Sequence, residues 1–444
     1  MELVTLIPGL LCILAIKRWG TQFALQYVVL PTLLLLPTYF YWTMRPLPSL
    51  NFIDAALVPL GVGMVFLDRG RWRFTRTDLW MLIFLMSSAW AEHELGKTTD
   101  AAFSLFESLT VGLIPYMAGK LLIEQTGSRV RITRMFVWLL AGSSVFSAYE
   151  YFFKSNPYTW VWSHFYPSQW AMWRTQYRWG FGRVAGPYSQ SELAGMMVFT
   201  AWLLALWLGR KNYAELKARP PVAALLKHGK WYAWGLFVAL FMTQARGPWI
   251  GAGLGLAVAA IGRAKKPGRR AVIVVVCVFM IGLPAYLLGK DYLAGPRKDY
   301  GSEKETAQYR AELIDNYVPV AIKGGEWGWG SNFPRIGGQD SIDNAYLYFW
   351  IVQGYVGAVA LILLIVDAMG TLVVQAFRPQ PVRERHFVLT LLGILVGIAF
   401  TITTVFLGNQ SYELLFLMIG WSQAMKELPK YKIEVVRSPI RVYS

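Results

Sequence analysis

Residues 345–375, AYLYFWIVQGYVGAVALILLIVDAMGTLVVQ, decide the fold class, because this run holds one charged residue, Asp367, in 31 positions. A helix needs about 20 consecutive apolar residues to cross a hydrocarbon core, and this stretch exceeds that. Similar runs recur at 3–16, 23–42, 52–67, 79–93, 102–119, 135–153, 191–209, 231–245, 248–262, 271–289, 387–407 and 411–425. The 444-residue chain is 55% hydrophobic and 16% charged, with a mean hydropathy of +0.38. An ordinary soluble domain carries about 25% charged residues. The alternating segments of a transmembrane β-barrel are absent. The sequence therefore predicts an all-α polytopic integral membrane protein with thirteen spans. The count falls to twelve if the short first run, which contains Pro8, is re-entrant.

Charge orients the spans. Of 43 Lys and Arg, 29 fall in loops 17–18, 69–76, 120–134, 210–230, 263–270, 378–385 and the tail 426–441. Eleven of the other 14 lie in two long loops, 154–190 and 290–344. Short loops set topology, whereas long ones translocate largely regardless of charge. The basic loops and the C-terminus are thus expected in the cytoplasm, and the two long loops outside. A net charge of +17 on a soluble chain would suggest nucleic acid. Here it fits loops held near anionic lipid, and no nucleic-acid-binding motif accompanies it. The first run lacks the basic start and small-residue cleavage site of a signal peptide. Cys12 and Cys277 sit in apolar runs, and His93, His164, His228 and His386 have no ligand spacing. Neither a disulfide, a metal nor a cofactor is expected.

The predicted organisation is an N-terminal transmembrane scaffold (1–153), an aromatic outer loop (154–190) and central spans (191–289). A large outer loop bearing an active-site helix (290–344), C-terminal spans (345–425) and a basic cytoplasmic tail (426–444) follow. Loop 154–190 is crowded with Trp and Tyr and nearly free of aliphatic residues. Its rings suit an interfacial belt or a platform for sugar rings, and both can hold for different residues. His164 reads as a surface histidine. In loop 290–344, residues 306–323 (TAQYRAELIDNYVPVAIK) predict a helix with apolar positions Leu313, Ile314, Tyr317 and Val318, ended by Gly324-Gly325. The following turn, WGWGSNF (327–333), has glycines that let the backbone approach another group closely.

Three arginines share the outer side: Arg183 in FGRVAGPYSQSE (181–192), Arg246 in TQARGPW (243–249) and Arg310 in AQYRAELID (307–315). The planar guanidinium fork matches diphosphate oxygens. Plainer roles exist for each. Arg246 suits interfacial snorkelling, Arg310 pairing with Glu312 or Asp315, and Arg183 a general attraction of anions with Arg174 and Arg178.

The arginine-bearing helix, the glycine turn, and then Asp343-Asn344 opening a helix with Tyr346, Leu347, Gly354 and Gly357 resemble the O-antigen ligase/O-antigen polymerase superfamily. TQARGPWIGAGLG is similar to that family's Ser-Arg-Gly segment between two spans. RVAGPYSQSELAGMM is similar to its Arg-x-x-Gly-x-Phe segment. The resemblance covers roughly residues 180–430. Asp343 stands where the family commonly has His, and Glu192 where it has Asn.

The resemblance implies a GT-C-like membrane enzyme that transfers a glycan from undecaprenyl diphosphate to an acceptor hydroxyl outside the bacterial cytoplasmic membrane. Its partners would be that lipid-linked glycan, a glycan or lipid A core acceptor, membrane lipids and, for a polymerase, a chain-length regulator. Fixed arginines can stabilise the departing diphosphate without a metal, and the outer loops hold no Asp-x-Asp motif. The expected catalytic residues are Asp343 as general base, Arg246 and Arg310. Alternatives for the base are Glu192, Asp340 and Glu312. Arg183, Tyr188, Glu192, Gln244, Tyr309 and Asn344 are expected to bind substrate. Asp343 also fits the N-cap of the next helix. A polymerase is preferred over a ligase on the missing His-Asn pair. The competing class is a transporter or flippase, disfavoured because the spans read as nearly free of internal charge.

Overall fold

The computed structural model describes residues 2–43, 48–169, 175–209, 229–293, 303–337, 339, 341–408 and 410–426. Arg174, Asp340, most of the basic loop 210–230 and nearly all of the tail lie outside the described residues. The described residues are 76% helical, with two small hairpins. It is an all-α polytopic membrane protein. Every one of the thirteen predicted runs contains a helix. Among the described residues, five helices are long and apolar enough to cross a membrane by length and composition: Thr98–Leu122, Ser191–Leu208, Pro267–Gly289, Ala345–Phe377 and Val382–Thr401.

Local chemistry sets the boundaries. Helix α1 (Ile7–Trp19) accommodates Pro8 in its first turn, where the missing N–H has no intrahelical partner to lose. Helix α2 (Thr21–Leu35) stops well short of the predicted residue 42. Leu36 is extended because it precedes Pro37. Tyr39 and Phe40 then fold into an aromatic cluster with Phe52 and Tyr166. Helix α3 (Phe52–Leu67) starts at a reciprocal cap between Asn51 and Asp54, and α4 (Arg76–Glu94) at one between Thr75 and Asp78.

Two contacts position the remaining helices. In α5 (Arg246–Ile261), Gly251 and Gly255 face Gly397 and Gly393 of α6 (Val382–Thr401). A Cβ at Gly255 would lie 2.6 Å from the Gly393 carbonyl, so the backbones touch as in small-residue membrane helix pairs. The second contact is a break in α7 (Ala345–Phe377) at Gly354, whose φ of 65° and ψ of −165° are non-helical. Tyr355 and Val356 donate their N–H groups to the carbonyls of Gly325 and Glu326 at 3.2 and 3.1 Å. Trp329 N donates to the Ile351 carbonyl at 2.8 Å. The glycine turn therefore replaces the missing helical bonds of α7.

The contacts sort the loops into two groups. Lys120 pairs with Asp78 at 2.7 Å, and Arg129 with Glu124 and Glu384 at 2.7 and 2.5 Å. Arg263 bonds His386 at 2.9 Å, and Arg76 pairs with Asp367. All but Asp367, which lies within α7, are at or beside helix ends that carry basic loops. The other group joins 36–41, 92–97, 156–192, 242–249, 309–345 and 402–410.

The expectation of nearly charge-free spans is not met. Asp54, Glu107, Glu150, Asp367 and Glu413 all sit in helices. Most have local uses: Asp54 caps α3, Asp367 pairs with Arg76, and Glu150 accepts backbone N–H groups.

Candidate functional site

The break between the helix Gly229–Met242 and α5 is the centre of the second group. Gln244 adopts a φ of +50°, rare for a residue with a side chain, and is 0% exposed. Neither its Oε1 nor its Nε2 has a hydrogen-bond partner among the described residues. Arg246 is the first residue of α5 and is exposed. Two other segments pack on this break, and a third packs on one of them. A Cβ at Gly195 would meet Pro248 at 2.6 Å, and one at Gly247 would meet the Thr404 hydroxyl at 2.4 Å. The Ile402 carbonyl accepts from Ala345 N at 2.9 Å. The beginning of Ser191–Leu208 and the segment just after α6 therefore pack on the arginine turn, and the start of α7 joins them through Ile402.

The Arg183 segment is tied to the same break. Val184 N donates to the Met242 carbonyl at 3.3 Å, and Arg178 Nη1 to the Gln244 carbonyl at 2.8 Å. Arg183 itself donates to Glu192 at 2.6 Å and to Gln176 at 2.5 Å. Its charge is therefore spent largely inside the protein, and Glu192 is held in an ion pair. The Tyr188 hydroxyl donates to the Leu34 carbonyl at 3.0 Å, which anchors this loop to α2. Glu150, 0% exposed, accepts from Ala185 N at 3.2 Å and Gly186 N at 2.8 Å. Arg183, Glu150, Tyr188, Gln190 and Ser191 line a small cavity of about 40 Å³. Nearby, Trp179 (φ 53°) and Gly180 (φ 81°) turn a hairpin, Tyr177–Arg178 with Phe181–Gly182. Some rings of the aromatic loop are interior rather than interfacial: Tyr166 is buried against Phe40 at 5.0 Å, while Trp160 and Trp179 are exposed. His164 is exposed, as expected.

The second long loop supplies α8 (Glu303–Lys323), which ends as predicted before Gly324 and Gly325, the latter at a φ of +66°. Leu313 and Tyr317 pack with Ile342, Leu347 and Ile351, and Val318 is partly buried. Ile314 departs from the prediction, being 48% exposed. Arg310 is half-buried, and its Nε has no partner among the described residues. Its neighbour Tyr309 donates its hydroxyl to the Ser341 carbonyl at 2.6 Å. Ser341 Oγ donates to Asp343 Oδ1 at 2.7 Å. Asn344, not Asp343, caps α7, its Oδ1 accepting from Leu347 N at 3.1 Å. The cap alternative for Asp343 is thereby corrected, and its carboxylate is left half-buried beside the loop.

Arg183 and Arg246 thus belong to interlocked segments, while Arg310, Tyr309 and Asp343 share the neighbouring loop, joined through Asn344 and Ala345. Glu312 lies on the same helix. Two anchoring carboxylates escaped the sequence reading. Glu150 carried a signal, since a carboxylate within an apolar run demands a partner. Glu92 accepts from Ser331 N and Oγ at 2.5 and 3.0 Å and so ties α4 to the glycine turn. Lys97 adds a bond to Asn332 at 2.7 Å. Nothing local distinguishes Glu92 from an ordinary interfacial acid. Glu92 of α4 and Lys97 just beyond it therefore grip the glycine turn.

Among the described residues, no group of His, Cys, Asp and Glu has the arrangement of a metal site. No curated protein matches the chain. The family model described as O-Antigen ligase matches residues 231–362. That range contains Arg246, Arg310, the glycine turn, Asp343 and the α7 break, but not the Arg183 segment. The likeness to the O-antigen ligase family is thus one of residues 231–362, under half of the chain.

Proposed function

We propose that the protein is a glycosyltransferase of the O-antigen ligase/polymerase type. It takes a glycan from a lipid-linked diphosphate, undecaprenyl diphosphate by family likeness, and passes it to an acceptor hydroxyl at the outer surface of a bacterial cytoplasmic membrane. The observation that carries this is the Gln244–Arg246 break. A strained, buried amide with unsatisfied polar atoms stands beside a guanidinium at a helix N-terminus. The first-turn N–H groups and the positive end of the helix dipole favour an anion there, and the guanidinium fork fits diphosphate oxygens.

In the reaction, the acceptor oxygen attacks the anomeric carbon as the bond from that carbon to the phosphate oxygen breaks. The electron pair leaves with the diphosphate, and Arg246 and Arg310 stabilise that growing charge. Asp343 takes the acceptor proton from the opposite face, which inverts the anomeric centre. Glu192 is a weaker choice because Arg183 already occupies its carboxylate. Gln244, Tyr309 and Asn344 support this geometry, Asn344 by fixing the start of α7.

The reaction is polymerisation rather than ligation on the reading of Asp343 in place of histidine. Incubating the purified protein in nanodiscs with a polyprenyl-diphosphate oligosaccharide alone tests this. A ladder of longer lipid-linked glycans identifies a polymerase. Consumption only after a lipid A core acceptor is added identifies a ligase. Tight donor binding with no turnover on any acceptor would move the assignment to a transporter. The buried carboxylates of the spans keep that reading in play.

A further inference from the structure

Between α8 and the outer end of α7 lies a cavity of about 180 Å³ that the donor site does not use. Tyr317, Phe333, Tyr348 and Phe406 are four of its eight lining residues, and Arg335, Gln339, Ser341 and Ile342 are the others. Phe333 and Phe406 both meet Tyr348 nearly edge-on, with centroids 6.4 and 4.7 Å away. The Tyr317 hydroxyl is occupied, accepting from Ile336 N at 3.1 Å. Gln339 lines the same space and is only 6% exposed. Neither its Oε1 nor its Nε2 has a hydrogen-bond partner among the described residues. Burying an unmet polar group costs about 1–3 kcal/mol, so this amide is a liability unless something polar enters the cavity. The volume equals the liquid share of about six waters at ~30 Å³ each. That is room for about one sugar ring.

We propose that this cavity is the acceptor subsite and holds one pyranose ring of the acceptor glycan. Its aromatic walls cover the apolar C–H faces of the ring. The Gln339 carbonyl accepts from one ring hydroxyl while its NH₂ donates to the neighbouring one. This pairing suits a vicinal diol, and a purely apolar ligand would leave it unmet. The position fits the chemistry. Ser341 lines the cavity and donates to Asp343, so the carboxylate proposed to take the proton stands one hydrogen bond from the cavity wall. Asn344 and Ala345 continue to Ile402, and Thr404 packs on Gly247 beside Arg246. Asp343 therefore sits on the chain path between the acceptor cavity and the donor's arginine. The inference rests on the transfer reading above, but its test is separate.

The test uses the full chain in nanodiscs and saturation-transfer NMR with the methyl glycosides of glucose, galactose, mannose, rhamnose and N-acetylglucosamine. At least one should give a signal that falls fivefold or more in Gln339→Ala and persists in Arg246→Ala. Gln339→Glu keeps the acceptor oxygen but loses the donor, so its signal should be intermediate; it also serves if the alanine variant does not fold. Equal signals in the wild type and both Gln339 variants, or no glycoside signal at all, would overturn the proposal. In transfer assays Gln339→Ala should raise the KM for acceptor with the donor KM unchanged, and an unchanged acceptor KM would also overturn it. Undecaprenyl diphosphate binding, measured alongside, should weaken in Arg246→Ala only. If it does not, the donor reading fails while the glycoside result stands.

Discussion

Replacing Gly354 by alanine should loosen the site's loop without touching any residue proposed to meet substrate. The added Cβ would lie 2.2 Å from the Glu326 carbonyl oxygen and 2.5 Å from Gly328 N. Its φ of 65° and ψ of −165° also belong to a region almost reserved for glycine, at a cost of about 1–3 kcal/mol. Relief of the clash requires the glycine turn to move away. That breaks three backbone hydrogen bonds, from Trp329, Tyr355 and Val356, each worth about 0.5–1.5 kcal/mol net. The expected loss is on the order of 3–7 kcal/mol, concentrated in the loop. Gly370→Ala in the same helix is the control, because its Cβ meets nothing within 4 Å and alanine favours helix. Limited proteolysis and melting followed by tryptophan fluorescence provide the assay. Gly354→Ala should expose cleavage sites within 324–333 and lose transfer activity, whereas Gly370→Ala should match or exceed the wild type. Equal melting and equal protease resistance in the two variants would refute the docking of the turn into the α7 break.

Three further outcomes are expected. Glu92→Ala removes two charge-assisted bonds to Ser331; it should cost about 2–4 kcal/mol and raise cleavage of the same turn, although residue 92 lies far outside the family-matched segment. Gly255→Val pushes a side chain into the Gly393 carbonyl and should cost at least about 2 kcal/mol in melting measurements, whereas Gly253→Val, with open space at its Cβ, should be near neutral. Arg183→Ala leaves the Glu192 side chain, 18% exposed, without its cation. A loss of about 2–3 kcal/mol is expected, and the double variant Arg183→Gln with Glu192→Gln should recover most of it.

The fold class and the helix positions were legible because apolar runs of span length are bounded by charge, capping residues and glycine. The misjudged ends have particular causes. Pro37 stops α2 early, and Thr401–Thr404 turn away from α6 to pack on Gly247. The arginines were legible one at a time, through their settings. Their relation was not, because it depends on backbone contacts between segments distant in sequence, such as Val184 with Met242 and Ala345 with Ile402. The roles of Arg183 and Tyr188 shifted for the same reason: their polar atoms find partners in Glu192 and Leu34. Glu92 and Gln339 carry no local pattern, since a single acid or amide acquires meaning only from what the fold places against it.

The central claim, that Arg246 and Arg310 stabilise a departing diphosphate, is tested most directly by single-turnover transfer from a polyprenyl-diphosphate oligosaccharide. Wild type, Arg246→Ala and Arg310→Ala are compared at equal folded concentration, confirmed by unchanged melting. Loss of one preorganised donor to developing charge typically costs about 10²–10³ in rate. Each variant should therefore fall at least ~100-fold. Full activity in both would contradict the account and remove the diphosphate from this site.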